Sequence, residues 1–138
     1  GQRMKLIFCL SKDKGMMFFG KRQSQDAILR EWIINHIEGS KLWMSEYSAK
    51  QFESRDNIIV DGDYMNKAGE ADYCFVEDGA YSADNATEII ICKWNRAYPG
   101  DKFFEIDLKE AGFKKTGTVD IKGKSHEKIT IETYIKKG

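Results

Sequence analysis

The segment Tyr98-Pro-Gly-Asp-Lys-Phe-Phe-Glu-Ile-Asp-Leu108 decides the fold prediction for this chain. An apolar run from Thr87 to Cys92 precedes it, and an alternating segment from Lys128 to Lys136 follows it. Continuous apolar runs are typical of strands buried on both faces of a sheet, whereas alternation is typical of strands with one exposed face. The sequence therefore predicts a buried central sheet that ends in an antiparallel hairpin.

The residues before this segment alternate between strand and helix signals, as in α/β domains. Met4 to Leu10 is nearly all apolar and predicts a central strand. Ser24 can cap a helix from Gln25 to Glu38, in which apolar residues recur at helical spacing. A second, short helix is predicted at residues 45–52, and further strands at 41–44, 57–61, 72–77, 87–94, 112–121 and 128–136.

A long connection from Ser11 to Arg22 contains an apolar cluster, Met16 to Phe19, between turn-forming residues. We interpret this connection as a loop. Its apolar cluster either covers a ligand cleft as a flap or meets a second subunit, and the flap is the preferred interpretation.

Composition predicts a single domain over residues 1–138. The 22 Lys and Arg residues balance 22 Asp and Glu residues, so no overall field draws the chain to nucleic acid or to a membrane. No bilayer-length apolar run and no signal pattern is present, which predicts a cytoplasmic protein. Cys9, Cys74 and Cys92 are expected to be buried free thiols. Gly1 to Arg3 is expected to be a cloning remnant or a disordered start.

Metal sites receive little support from the sequence. The two histidines and the dispersed cysteines lack zinc-ligand spacing, so no metal is predicted. Acids near the predicted strand ends could bind a divalent cation, although solvated loop acids are the favoured interpretation; they are Asp61, Asp63, Glu77 and Asp78.

The turn from Lys122 to Glu127 contains two further motifs. Gly117 with Gly123-Lys-Ser125 has one residue too many for a phosphate-binding loop, and it joins two strands instead of a strand and a helix. A catalytic triad of His126 with its neighbours is disfavoured, because adjacent residues on a strand point to opposite faces.

The order of elements resembles that of the dihydrofolate reductases. The pieces that carry this resemblance are residues 6–15, Asp26, residues 54–60, residues 87–108 and the final hairpin. The resemblance spans nearly the whole chain, and it implies a central mixed sheet flanked by helices with a carboxy-terminal antiparallel hairpin. Relative to the family, one strand and one helix are missing between Val60 and Tyr73.

The resemblance also implies a ligand cleft between Asp26, Ser48, Arg55 and the segment Glu77 to Gly79. Asp26 falls where the family keeps the acidic group that binds the pterin ring and assists its protonation. Arg55 falls on the family arginine that binds the carboxylate of the glutamate tail of folate. The alternatives are a helix-start aspartate that interacts with the helix macrodipole and an exposed arginine before a strand.

The segments at which the family binds NADPH depart from its pattern. Glu77-Asp78-Gly79 replaces consecutive glycines, Glu46 replaces a phosphate-binding arginine, and Lys21 to Ser24 replaces a tryptophan and a proline. A unit charge about 4 Å from a phosphate costs about 4 kcal/mol at an effective dielectric constant of about 20. We therefore expect no cofactor, with NADPH disfavoured by the acids at 46, 77 and 78.

From these features we predict a dihydrofolate reductase-like protein that binds a small polar or heterocyclic ligand without ordinary NADPH-dependent activity. One alternative is a nicotinamide-dependent reductase of a pteridine or flavin precursor, with an altered cofactor pose. Another is a self-associating module, a homodimer that uses Met16 to Phe19 or the edge of the final hairpin.

Overall fold

The computed structural model describes residues 3–138, so Gly1 and Gln2 of the expected disordered start lie outside the described residues. The strands are β1 (Met4–Leu10), β2 (Gly15–Phe18), β3 (Lys21–Arg22), β4 (Leu42–Met44), β5 (Ile58–Val60), β6 (Tyr73–Phe75), β7 (Ala86–Lys93), β8 (Lys102–Phe103), β9 (Phe113–Ile121) and β10 (Ile129–Lys136). The helices are α1 (Ala27–His36), α2 (Glu46–Ala49) and α3 (Tyr64–Lys67).

Seven strands form one sheet in the order β5-β4-β6-β1-β7-β10-β9. The first five strands in this order, β5, β4, β6, β1 and β7, are parallel to one another. By contrast, β10 is antiparallel to β7, and β9 is antiparallel to β10. The predicted mixed sheet with a carboxy-terminal antiparallel hairpin is confirmed, and β1 is central as predicted.

Both faces of this sheet are covered, which explains the continuous apolar run of β1. On one face, Ile7 packs in a core with Leu29 and Ile33 of α1. On the other face, Leu6 and Phe8 belong to a second core. Because side chains alternate along a strand, a strand buried on both sides must be apolar at successive positions.

A smaller antiparallel sheet has the order β3-β2-β8 and corrects the loop prediction for residues 11–22. Met16 and Met17 are buried in the core, so they do not belong to a flap. Phe19 alone is largely exposed, at 79%, and its ring stacks on Phe18 with 4.1 Å between centroids. Within residues 3–138, no helix is long and apolar enough to cross a membrane.

Candidate functional site

Three of the predicted site residues lie at the edge where the parallel strands have their carboxyl ends. Asp26 caps α1, Ser48 lies in α2 just after β4, and Glu77 follows β6. We call this region the Asp26 edge. Arg55 is exposed and lines a separate small cavity of about 70 Å³. The structure thus brings Asp26, Ser48 and Glu77 together and leaves Arg55 apart.

The Asp26 carboxylate is surrounded by hydrogen-bond donors of the protein. Its Oδ1 accepts from the backbone N–H groups of Ile28 and Lys124, each at 2.9 Å. Its Oδ2 accepts from the backbone N–H of Ser125 and from His126 Nδ1, each at 2.9 Å. The side chain is 0% exposed. These contacts use the acceptor capacity that a ligand of Asp26 would need.

These contacts keep Asp26 ionised. Burial on its own raises the pKa of the Asp26 carboxyl, but the hydrogen bonds from His126 and from the amides of Lys124, Ser125 and Ile28 outweigh burial and hold this pKa well below its usual range. The predicted cap at Ser24 is wrong: Asp26 caps α1, because its side chain accepts from the backbone N–H groups of Ile28 and Leu29.

The turn around Gly123 supplies half of this arrangement. The backbone N–H groups of Lys124 and Ser125 both donate to the Asp26 carboxylate. The segment Gly123-Lys-Ser125, which partly matches a phosphate-binding loop, therefore binds an anionic group of the protein itself. A Cβ at Gly123 would lie 2.5 Å from Asp26 Oδ2, which explains why glycine is needed there.

Glu77 is buried in a second closed network. Arg22 donates to both carboxylate oxygens, from Nε at 3.0 Å and from Nη2 at 3.1 Å. Ser48 Oγ and Gln51 Nε2 donate to the same carboxylate at 2.8 and 3.1 Å. The prediction that a free Glu77 charge would repel a phosphate is therefore corrected. The guanidinium of Arg22 neutralises the charge of Glu77.

The neighbouring residues Asp78 and Gly79 are also held by the protein. Asp78 accepts from Ser45 Oγ at 2.6 Å, at the start of α2. Lys102 Nζ donates to the carbonyl oxygens of Glu77 and Gly79 at 2.9 and 2.6 Å. At this turn the ammonium group of Lys102 thus contacts two backbone carbonyls. Glu46 is exposed in the first turn of α2.

The space left at the Asp26 edge is small. A cavity of about 10 Å³ lies between Asp26, Glu77 and Trp94, near the volume needed for one water molecule. A much larger groove, of about 690 Å³, lies at the other core of the sheet. It is lined by Leu10, Ser11, Lys12, Lys14, Ile91, Lys93, Asn95, Phe104, Glu105, Ile106, Asp107, Leu108, Lys109, Phe113, Glu132 and Tyr134. We call it the groove.

Several residues of these sites have no clear signal in the sequence pattern. Arg22 was assigned to a loop, and Glu132 was not singled out, although a buried acid inside a strand requires a partner. The only hint of the contact with Asp26 was a glycine followed by consecutive polar residues in a turn. Among residues 3–138, no cluster of three or more His, Cys, Asp or Glu side chains could hold a metal ion.

Comparisons with known proteins identify the architecture. No family model matches the sequence, and no curated protein matches it significantly. The solved structure of dihydrofolate reductase from Enterococcus faecalis, complexed with NADP(H) and RAB-propyl, matches with a TM-score of 0.68. The two sequences are 14% identical, and the match covers 99% of this chain and 97% of that chain. The chain therefore has the dihydrofolate reductase fold.

Proposed function

We propose that this chain binds a small anionic molecule with an apolar or aromatic body in the groove, and that it does not reduce a pterin at Asp26. The observation that carries this proposal is the contrast between about 10 Å³ of space beside Asp26 and about 690 Å³ in the groove. Sites for small ligands usually enclose about 300 to 1,000 Å³.

The lining of the groove supports this class of ligand. Its floor includes buried apolar side chains, among them Leu10, Ile91 and Phe113, which suit a flat or aliphatic body. Its polar lining contains four lysines and three acids. An excess of cations favours a carboxylate, a sulfonate or a phosphate on the ligand.

One of the three acids is already neutralised by the protein. Glu132 accepts from Tyr134 Oη and Lys115 Nζ, each at 2.9 Å, and it forms an ion pair with Lys93 at 3.4 Å. The negative charge of Glu132 therefore repels an anion in the groove only weakly. Of the other charged groups in the lining, three are lysines, at 12, 14 and 109, and two are acids, at 105 and 107. The remaining charge therefore favours an anionic ligand.

A nicotinamide-dependent reductase is the second candidate. Its support is the likeness to a reductase complexed with NADP(H). Against it stand the side chains of Arg22 and Lys102, which hold the turn after β6 through contacts within the protein. A self-associating module stays a third hypothesis. We propose a single domain and a cytoplasmic location for all three.

The first test is calorimetric titration of the full chain with NADPH, NADH and folate, each to millimolar concentration. We expect no binding of these molecules at the Asp26 edge, because its side chains are bonded to one another, so any heat that appears should be lost in the groove variant Lys14→Ala, Lys109→Ala. Micromolar binding of NADPH, followed by its oxidation with a pteridine, would establish the second candidate and contradict the first.

The second test uses 2-naphthoate and neutral 2-naphthamide as probes, followed by amide shifts in nitrogen-15-labelled protein. We expect naphthoate to shift groove amides such as those of Lys14 and Phe113, and naphthamide to bind at least about fivefold more weakly. The double variant Lys14→Ala, Lys109→Ala should weaken naphthoate binding, whereas Lys67→Ala, outside the groove lining, should not. Shifts confined to other surfaces would contradict the groove.

A further inference from the structure

Ser24, His126 and Asp26 form one chain of hydrogen bonds at the start of α1. Ser24 Oγ lies 3.0 Å from His126 Nε2, and His126 Nδ1 lies 2.9 Å from Asp26 Oδ2. The imidazole thus contacts a carboxylate through Nδ1, and its Nε2 lies 3.0 Å from each of two hydroxyls, those of Ser24 and Tyr98. This is the order of contacts that activates a serine in acyl-transfer enzymes.

The contacts of Asp26 fix the tautomer of His126. An ionised carboxylate only accepts hydrogen bonds, so the contact with Asp26 Oδ2 requires the proton on His126 Nδ1. Nε2 of the neutral ring is then an acceptor, and Ser24 Oγ–H can donate to it. His126 is therefore oriented as a general base towards Ser24.

The ring of His126 is held rigidly. Its side chain is 2% exposed, and the indole of Trp94 stacks on it with 4.6 Å between ring centroids. The carbonyl of His126 accepts from the N–H of Gly123 at 2.9 Å, which closes the turn. A general base needs a fixed geometry of this kind to act efficiently.

Ser24 and Tyr98 stand where this buried pair meets the surface, since both side chains are partly exposed. Tyr98 Oη lies 3.0 Å from His126 Nε2 and 3.3 Å from Ser24 Oγ. A phenol this close to the nucleophile is placed to donate to an oxygen that becomes negative on the reacting carbonyl. The adjoining cavity of about 10 Å³ excludes a bulky acyl group.

We propose that Ser24 is a nucleophile that cleaves small carboxylic esters exposed at this surface. The Oγ–H proton passes to His126 Nε2 while Oγ bonds to the carbonyl carbon. The carbon–oxygen bond to the alcohol then breaks, and the alcohol leaves with the proton from Nε2. Water next attacks the acyl ester on Ser24 and gives its proton to Nε2. The Oγ–acyl bond then breaks while Nε2 returns its proton to Oγ, which releases the carboxylic acid and restores both Ser24 and the neutral imidazole. Asp26 is a positioning residue.

Covalent labelling with methanesulfonyl fluoride, a probe about as small as an acetyl group, located by peptide mass spectrometry, tests the nucleophile in the full chain. We expect labelling at Ser24, none at this position in Ser24→Ala, and a rate at least about 100-fold lower in His126→Gln. Ser82→Ala, which changes an exposed serine remote in sequence, should label at the native rate. Absence of label at Ser24 in the native chain, or equal rates with His126→Gln, overturns the proposal.

A second measurement separates activation of Ser24 from a structural role of the same contacts. Hydrolysis of p-nitrophenyl acetate should fall to the buffer rate in Ser24→Ala, a partly exposed residue whose loss should leave the circular dichroism spectrum unchanged. The nitrogen-15 shifts of His126 should report a proton on Nδ1, and in Asp26→Asn they should move towards the other tautomer. Unchanged esterase activity in folded Ser24→Ala contradicts the proposal.

Discussion

The buried acids of the Asp26 edge and of the groove differ in how exposed their hydrogen-bond partners are. At the edge, Asp26 and Glu77 are each enclosed by fixed donors, with about 10 Å³ left between them. In the groove, Glu132 is held by two lysines whose side chains are 47% exposed, beside about 690 Å³ of open space. The acids enclosed by buried donors contribute to the fold, whereas the acid held by half-exposed lysines lies beside space for a ligand.

The largest expected effect comes from removing the cation of the closed site. Arg22→Met would leave the buried Glu77 carboxylate without its guanidinium, and we expect a loss of about 3 to 5 kcal/mol in the free energy of unfolding. Lys115→Met, which removes a partner of Glu132 from outside the groove lining, should cost about 1 kcal/mol or less, because Glu132 keeps Lys93 and Tyr134. Urea unfolding measures both variants. Equal losses would erase the distinction between the two regions.

A smaller effect is expected from filling the space at the turn that binds Asp26. In Gly123→Ala, the added methyl group would lie 2.5 Å from Asp26 Oδ2 and 2.9 Å from Ile129 Cδ1. We expect a loss of about 2 to 3 kcal/mol in the free energy of unfolding. Gly117→Ala is the matched control, since a Cβ there has no atom of the described chain within 4 Å. A native-like melting temperature for Gly123→Ala would mean that the turn is not tightly packed.

The smallest of the three effects depends on pH. The pKa of Asp26 is lowered in the folded state, so its contribution to stability is present above the unfolded pKa of about 3.9 and is lost as the pH falls through the folded value. Asp26→Asn should cost about 1 to 2 kcal/mol at neutral pH, and its difference from the native chain should shrink towards pH 2.

Glu132→Gln provides the comparison in the groove. Burial raises the pKa of Glu132, but hydrogen bonds from Lys115 and Tyr134 and the charge of Lys93 lower it overall, which gives the same sign of pH dependence. We expect a smaller change than in Asp26→Asn, because the lysines are half-exposed. Chemical unfolding at a series of pH values checks both. A larger pH dependence at Glu132 would reverse the proposed ranking.

Much of the fold could be predicted because its longest elements carry strong local patterns. The apolar run of β1 indicates a strand buried on both faces, and the alternation in β10 indicates a strand with one more exposed face. Both patterns can be read from the segment alone. The strand at Met16 and Met17 could not be identified in this way, since its pairing with β8 depends on residues far along the chain. Short strands of this kind are specified by tertiary contacts more than by local propensity.

The candidate site was less predictable, because its chemistry joins distant segments. The pattern predicts Asp26 near the start of a helix but places the cap two residues early, at Ser24, because either side chain can accept a backbone N–H locally. The partner of Asp26, His126, is 100 positions away, and the geometry that joins them requires the whole sheet. Arg22 and Glu77 are likewise separated by 55 positions. Single-sequence patterns contain no information about such pairs.

The bond between Asp26 and the final hairpin has a consequence for the order of events during folding. A chain growing on the ribosome presents α1 early, yet the amides of Lys124 and Ser125 that complete its amino-terminal cap are made about 100 residues later. Contacts of such long sequence separation form slowly, because the intervening chain must first be ordered. We therefore expect α1 to dock in its final position only after the hairpin has been synthesised, which makes this bond a late marker of the native state.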